Sequence, residues 1–260
     1  MNMLANSRLR LFSPGTVEWS RVEVPVATAG SLEGVRLLHL SDMHLTQQWY
    51  SAYDALISRI NSAKLDLIAF TGDLIDNRWN PARKAIENAR RLLESLQSKY
   101  GTFVILGNHD GDLLAPLVED CNATLLHPGR ATIDFGDAMI ELIGLPCVHR
   151  KDLSPRVLRL FPSKPANAFR IVLSHYPDHV RKLAAISPDL VLAGHTHGGQ
   201  VCLPGGRPII THDGLPPEIS VGLHRVNDCH LLISRGVGFA TYPIRVFAPP
   251  QVVEVVLTRR

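Results

Sequence analysis

Short apolar runs bounded by turn residues alternate with amphipathic stretches in the first part of the chain. Five such runs are predicted to be buried strands: Val35–Leu40, Leu67–Phe70, Phe103–Leu106, Ile171–Leu173 and Leu190–Ala193. Two stretches between the early runs, Tyr53–Ile60 and Ala82–Leu96, place their apolar residues at helical spacing. Asn80 and Pro81 suit the N-cap and first turn of the second helix. Strands that alternate with helices favour parallel β-α-β crossovers.

The later chain has a different pattern, typical of antiparallel hairpins. Two pairs of apolar runs flank short turn sequences: Ala131–Phe135 with Ala138–Ile143, and Gly222–Val226 with His230–Ser234. Gln251–Leu257 is predicted to be a final strand. The pattern as a whole therefore predicts a mixed α/β domain with two sheets covered by helices.

Length and composition predict one domain with a sizeable core. The chain has 260 residues, of which 45% are hydrophobic, within the range of a single large domain. We expect residues 1–34 to form an N-terminal segment and leading strand of the same domain that residues 35–260 complete. The net charge of +3 favours an anionic substrate or loose contact with a membrane surface. Nucleic acid is not expected as a partner, since aromatic residues are only 6% and no basic stripe is visible.

The sequence contains no recognisable targeting segment and no cysteine motif. Residues 1–12 lack an apolar stretch of the kind that a secretory signal needs, and no run approaches the about 20 apolar residues that span a bilayer. We therefore expect a cytoplasmic protein, with the inner face of the membrane as a peripheral location. The four cysteines are isolated, which predicts buried thiols rather than disulfides or a zinc ribbon. Nothing indicates an obligate protein partner.

Each predicted buried strand is followed by a polar cluster. The clusters are Ser41-Asp42-Met43-His44, Thr71-Gly72-Asp73-Leu74-Ile75-Asp76, Gly107-Asn108-His109-Asp110, Ser174-His175 and Gly194-His195-Thr196-His197. Ligands of open α/β sheets bind beyond the carboxyl ends of the strands, so these side chains are expected to converge. Carboxylate, amide and imidazole donors suit Mn, Fe or Zn. They are too many for one tetrahedral zinc, whereas two ions about 3.5–4 Å apart that share a carboxylate would use them all.

These blocks, in this order, resemble those of the calcineurin-like metallophosphoesterase superfamily. The resemblance covers roughly residues 36–198 and implies a four-layer α-β-β-α sandwich with two mixed sheets and two divalent metal ions. It assigns the first ion to Asp42, His44, Asp73 and His197, and the second to the bridging Asp73 with Asn108, His175 and His195. It makes His109 the catalytic histidine, oriented by Asp76.

A finer resemblance concerns the segments Gly194–Val201 and Ser234–Gly238, which are similar to a bacterial branch of small phosphodiesterases. The implied activity is hydrolysis of a phosphate ester, most of all a diester, by in-line attack of a metal-bridging hydroxide. That branch includes membrane-associated members and UDP-2,3-diacylglucosamine pyrophosphohydrolases of lipid A synthesis, so a lipid substrate is one alternative. A phosphomonoesterase is another. A non-catalytic scaffold is the third, although such relatives lose ligands and here every ligand position is filled.

For several residues the sequence allows both a structural and a functional role. Any one strand-end histidine could be structural, and Asp76 could cap a turn. Asp110 could begin a helix over Leu113–Glu119 and is left out of the predicted site. His149, in the irregular segment 147–151, belongs to either a solvated loop or a substrate-facing lid. Arg207 could grip a substrate phosphate or lie on a surface turn.

Overall fold

The computed structural model describes residues 11–12, 17–26, 30–76, 83–111, 114–211, 213–240 and 244–259. The strands are β1 (Leu11–Phe12), β2 (Glu18–Val26), β3 (Arg36–Leu40), β4 (Leu67–Thr71), β5 (Thr102–Ile105), β6 (Thr124–Leu125), β7 (Gly129–Asp134), β8 (Met139–Gly144), β9 (Ala168–Ser174), β10 (Leu190–Ala193), β11 (Gly222–Val226), β12 (Cys229–Ile233), β13 (Arg245–Val246) and β14 (Gln251–Arg259). The α-helices are α1 (Ser51–Ser62), α2 (Arg83–Ser95), α3 (Leu114–Glu119) and α4 (Pro155–Leu158).

Two six-stranded sheets form the centre of the molecule. The first has the order β2-β14-β3-β4-β5-β6, and β3 to β6 run parallel through the crossovers that the sequence predicts. The second has the order β11-β12-β10-β9-β8-β7, with parallel pairing from β12 to β8 and an antiparallel hairpin at each edge. Both predicted hairpins are confirmed. A separate two-stranded sheet joins β1 to β13.

Three apolar clusters show how the layers are stacked. Alternate residues of β3 and β9, such as Leu37 and Ile171, pack between the two sheets. The opposite face of the first sheet, including Leu38 and Phe70, packs against α1 and α2. The outer face of the second sheet packs against the 3₁₀ segment Pro177–Ile186. Because side chains alternate between the faces of a strand, this arrangement gives the four-layer α-β-β-α sandwich, and the fold prediction is confirmed.

Differences from the predicted elements lie mostly at their ends. β9 is longer than predicted, at Ala168–Ser174, and the 3₁₀ segment Pro177–Ile186 has no counterpart among the predicted helices. On α2, Asn88 is buried and Ile86 only half-buried, because the Asn88 amide donates to the Thr46 carbonyl oxygen. The predicted cap residues Asn80 and Pro81 lie outside the described residues.

Two of the four thiols differ from the buried state that the sequence predicts. Cys202 and Cys229 are buried, whereas Cys121 and Cys147 are only half-buried, and all four are free. Within the described ranges, no helix combines the length and apolar character that crossing a membrane requires.

Candidate metal centre

The polar clusters converge at the carboxyl ends of the two sheets. The loops after β3, β4 and β5 supply Asp42, Asp73 and Asn108, and those after β9 and β10 supply His175 and His195–His197. Two groups of three side chains bring their ligand atoms within 4.8 Å of one another: Asp42 with His44 and His197, and Asp42 with Asp73 and His175. The two groups share Asp42, so they form one continuous cluster.

The first half of the cluster joins loops far apart in the chain. Nε2 of His44 lies 3.1 Å from Nε2 of His197, and Nε2 of His197 lies 3.5 Å from Oδ1 of Asp42. All three side chains are buried. Two imidazole nitrogens and a carboxylate oxygen therefore point at one small volume.

The second half shows that the donor set fits a cation. Nδ1–H of His175 donates to the carbonyl oxygen of Thr71, 2.9 Å away, so a neutral ring presents a bare Nε2. That nitrogen lies 3.4 Å from Oδ2 of Asp73 and 2.9 Å from Oδ1 of Asn108. Three hydrogen-bond acceptors thus face one another and need a positive charge among them. Metal-binding histidines commonly use this arrangement, in which one ring N–H donates to a backbone carbonyl and the other nitrogen faces the metal.

Asp73 lies between the two halves. Its Oδ2 is 3.5 Å from Nε2 of His44 as well as 3.4 Å from Nε2 of His175. Its Oδ1 accepts a hydrogen bond of 2.8 Å from the backbone N–H of His109. One carboxylate oxygen therefore faces a ligand candidate from each predicted ion.

The electrostatics of the cluster also call for a cation. Burial would raise the pKa of Asp73, but the neighbouring His175 ring holds it well below its usual range. Burial also opposes protonation of His175, yet the Asp73 carboxylate outweighs it and raises the pKa of His175 to about 9. Burial, with Asp73 nearby, raises the pKa of Asp42 to about 6. The cluster therefore takes up a proton where a metal ion would otherwise neutralise it.

The backbone at the cluster is held in a costly conformation. Five of the predicted ligands have left-handed φ values between 44° and 68°: Asp42, His44, Asp73, His195 and His197. This region costs roughly 1–2 kcal/mol for a residue with a side chain. Such strain concentrates at functional sites, where the surrounding structure maintains it.

Gly194 allows two loops to approach. A Cβ placed on Gly194 would lie 1.9 Å from Oγ of Ser41 and 2.3 Å from Oδ2 of Asp42. Asp42 accepts hydrogen bonds of 3.1 and 3.2 Å from the backbone N–H of His195. Only glycine fits here, because any side chain would displace the carboxylate.

A cavity of about 300 Å³ lies on one side of Tyr176 and is also lined by His149, Arg150 and Lys151. The Tyr176 ring lies 4.4 Å from the His195 ring and 5.2 Å from the His149 ring, measured between centroids. The structure thus brings His149 near the cluster, on a cavity wall. Arg207 lies on an exposed turn, and in the described part of the chain no hydrogen bond or ion pair joins its side chain to the cluster.

The predicted catalytic pair lies beside the first half of the cluster. Nδ1 of His109 is 4.0 Å from Oδ1 of Asp76, longer than a hydrogen bond. The His109 ring lies 5.1 Å from the His44 ring. The structure brings both residues to the cluster, and their roles stay predictions.

Two residues that sequence reasoning missed support the cluster. Asp110, interpreted as the start of a helix, is fully buried, and its carboxylate accepts backbone hydrogen bonds from Gly107, Asp73, Leu74 and Ile75 at 2.6 to 3.1 Å. Arg245, also fully buried, donates to Nδ1 of His197. Asp110 stands inside the recognisable block, and its buried neighbours could have indicated its role. Arg245 carried no such signal.

Sequence comparisons agree with this geometry. The sequence model of the family described as calcineurin-like phosphoesterase matches residues 35–199. The chain is 32% identical to the uncharacterized metallophosphoesterase YkuE of Bacillus subtilis, covering 85% of this chain and 78% of that protein. It is 27% identical to the UDP-2,3-diacylglucosamine pyrophosphatase LpxG of Chlamydia muridarum, covering 85% of this chain and 83% of the relative.

Solved structures share the fold at low sequence identity. The NAD nucleotidase of Haemophilus influenzae has a TM-score of 0.51 at 15% identity, covering 78% of this chain and 45% of that one. The phosphopantetheinyl hydrolase of Mycobacterium tuberculosis has a TM-score of 0.50 at 9% identity, covering 83% and 96%. With the matched family region spanning more than half of its length, the chain belongs to the calcineurin-like phosphoesterase family.

Proposed function

We propose that this chain is a phosphodiesterase that binds two divalent metal ions. The observation that carries the proposal is the position of Asp73, whose Oδ2 lies 3.5 Å from His44 and 3.4 Å from His175. A single oxygen between two groups of donors suits a carboxylate that bridges two ions. Imidazole, carboxylate and amide donors suit Mn²⁺, Fe²⁺ or Zn²⁺.

We assign the residues as the family resemblance suggests. Asp42, His44 and His197 would hold the first ion, Asn108, His175 and His195 the second, and Asp73 both. Bound there, two such ions would supply Lewis acidity and a hydroxide nucleophile at neutral pH. Two doubly charged ions, two carboxylates and one hydroxide leave a net charge of about +1, which favours a singly charged diester.

His109 would donate a proton to the departing oxygen. Its backbone is anchored to Asp73 by the 2.8 Å hydrogen bond, so its ring is held next to the bridging carboxylate. Asp76, 4.0 Å from Nδ1, would favour the tautomer with the proton on Nδ1 or the protonated ring. A general acid of this kind contributes roughly 10²–10⁴-fold.

The cavity beside Tyr176 favours a diester over a monoester. A diester carries a second organic group, and the cavity of about 300 Å³ lined by Tyr176, whose ring contacts that of His195, would give that group a place. His149, on its wall, would contact this group. Arg207 is a weaker candidate for substrate contact, because it lies on an exposed turn.

The test compares two synthetic substrates on purified, Mn²⁺-loaded protein. We expect a higher kcat/KM on bis-p-nitrophenyl phosphate than on p-nitrophenyl phosphate, with Asp73→Asn as the inactive control. Faster turnover of the monoester would make the chain a phosphomonoesterase. If neither substrate is cleaved while elemental analysis finds two metals per chain, the phosphodiesterase proposal fails, and a scaffold role replaces it unless the acylated substrate of the second candidate is hydrolysed.

A second candidate is hydrolysis of the pyrophosphate of UDP-2,3-diacylglucosamine. Its support is the similarity to the Chlamydia pyrophosphatases over 85% of this chain. Release of UMP from the acylated substrate by the Mn²⁺-loaded protein is the expected result. If that substrate stays intact while bis-p-nitrophenyl phosphate is cleaved, this candidate is excluded and the phosphodiesterase remains.

A further inference from the structure

Exposed large apolar side chains are concentrated in one region of the molecule. Of the six in the described part of the chain, five are Val201, Leu203, Ile209, Ile210 and Ile244, each between 41% and 59% exposed. We call these five residues the apolar rim. The sixth, Leu160, lies just after α4 and is 66% exposed. Scattered apolar side chains are ordinary on a protein surface, whereas a cluster marks a contact surface.

The backbone around the rim forms a narrow hairpin. Cys202 pairs with Pro208 and Val201 with Val246 in isolated bridges. The N–H of Leu203 donates to the carbonyl oxygen of Arg207 at 2.8 Å. Four of the rim residues are thus held outward by a turn rather than packed on either sheet.

The rim adjoins the metal centre. A Cβ on Gly199, two residues after His197, would lie 2.3 Å from Cβ of Pro208 and 3.0 Å from the carbonyl oxygen of Ile210. The hairpin therefore packs directly on the loop that carries His195 and His197. Any surface that covers the rim therefore lies close to that loop.

The two segments that carry the rim contain basic residues and no acidic ones. Residues 190–212 and 229–253 contain no Asp or Glu, and Arg207, at the tip of the hairpin, is exposed. Glu18 from β2 is paired with the neighbouring Arg235 at 2.7 Å. Apolar side chains beside an exposed cation suit the interface of an anionic bilayer.

A second protein surface fits less well. Specific protein interfaces cover about 800 Å² on each partner and contain a packed centre. Five half-exposed side chains, four of them on one hairpin, provide much less area, and those four project from a turn instead of forming a flat patch. Shallow insertion into a lipid surface needs only a small projecting group.

We propose that the apolar rim inserts into the surface of an anionic phospholipid bilayer and holds the metal centre next to the headgroups. This docking goes beyond the proposed phosphodiesterase activity and does not depend on it. Ile209 and Ile210 supply apolar contact, and Arg207 contacts the lipid phosphates.

The experiment is cosedimentation of the full chain with phosphatidylcholine vesicles, with and without phosphatidylglycerol. We expect the wild type to bind the anionic vesicles. The double variant Ile209→Ser/Ile210→Ser is expected to lose about tenfold or more in partition coefficient, and Arg207→Gln about fivefold. Leu160→Ser is the control, since it removes an apolar side chain that is even more exposed but lies elsewhere, and should bind like the wild type.

Independent readouts separate the possible failures. Thermal melts and turnover of bis-p-nitrophenyl phosphate should be unchanged in Ile209→Ser/Ile210→Ser, so that lost vesicle binding is not lost folding or lost catalysis. The proposal is overturned if the wild type binds neither kind of vesicle, or if the double variant binds as well as the wild type. It is also overturned if ultracentrifugation shows a dimer that the double variant dissociates, because the rim is then covered by a second copy.

Discussion

Nη2 of Arg245 lies 3.0 Å from Nδ1 of His197, and the same nitrogen donates to the carbonyl oxygens of Arg235 and Gly238 at 2.8 and 2.6 Å. The Arg245 guanidinium therefore fixes the orientation of the His197 ring from the Nδ1 side, while Nε2 of that ring faces Nε2 of His44 at 3.1 Å. Gly238 in turn donates to the carbonyl oxygen of Asp42 at 2.7 Å, so Arg245 connects two predicted ligands of the first ion.

Arg245→Lys should weaken the first metal site. Lysine keeps the charge but cannot reach the ring nitrogen and several carbonyls together, and the unsatisfied carbonyls should lower the free energy of unfolding by about 2–4 kcal/mol. We expect elemental analysis to find closer to one metal per chain than two. Arg235→Lys is the control, since that guanidinium is partly exposed and its replacement should leave both metals bound.

Asp73→Asn should remove both metals and all activity. The amide keeps the size of the side chain and an oxygen for the His109 N–H, but it loses the charge that faces His44 and His175. Asp54→Asn, at an exposed position, is the control. Two tightly bound metals in Asp73→Asn would contradict the bridging role.

His109→Ala should lower kcat by about 10²–10⁴-fold while both metals stay bound. The loss should be larger for an alkyl ester than for a p-nitrophenyl ester, because a poor leaving group depends more on the proton. Turnover is measured on the two esters in parallel with metal content. An equal loss on both would argue against proton donation by His109.

Asp110→Asn should destabilise the loop that carries Asp73. Four backbone N–H groups donate to the carboxylate, and an amide nitrogen in place of one oxygen would face donors instead of accepting from them. We expect a loss of about 2–4 kcal/mol in urea unfolding together with weaker metal binding. Asp120→Asn, on the exposed surface, should change neither.

His39 should make the protein sensitive to acid. Burial lowers the pKa of His39 to about 3, while in the unfolded chain it titrates near its usual value of about 6.5. Between these values only the unfolded state binds the proton, so stability falls as the pH decreases. The difference in unfolding free energy between the wild type and His39→Leu should shrink by about 1.4 kcal/mol per pH unit below about 6.5. Urea titrations from pH 7.5 to pH 5 measure it, and a constant difference would contradict the prediction.

Much of the fold followed from local pattern. The strands that precede the ligand loops are short apolar runs with glycine or polar residues after them, and both hairpins stand where turn residues separate alternating runs. The 3₁₀ segment Pro177–Ile186 was not foreseen, since its buried residues Pro177, Val180, Leu183 and Ile186 recur every third position, which is the 3₁₀ period and not the 3.6-residue period of an α-helix. The apolar rim was not foreseen either, because exposure of Ile209 and Ile210 depends on what packs around the hairpin.

The order of Asp, Asn and His blocks after buried strands was enough by itself to determine the family and to predict a metal site, because metal chemistry restricts both residue type and local backbone. The relations among the loops depended on the tertiary structure. Sheet pairing and crossovers decide that Asp73 lies between His44 and His175, that Asp110 binds the loop of Asp73, and that Arg245 reaches His197 across 48 positions of the chain. Such contacts join segments that are distant in the chain, so the local pattern of apolar and polar residues does not predict them.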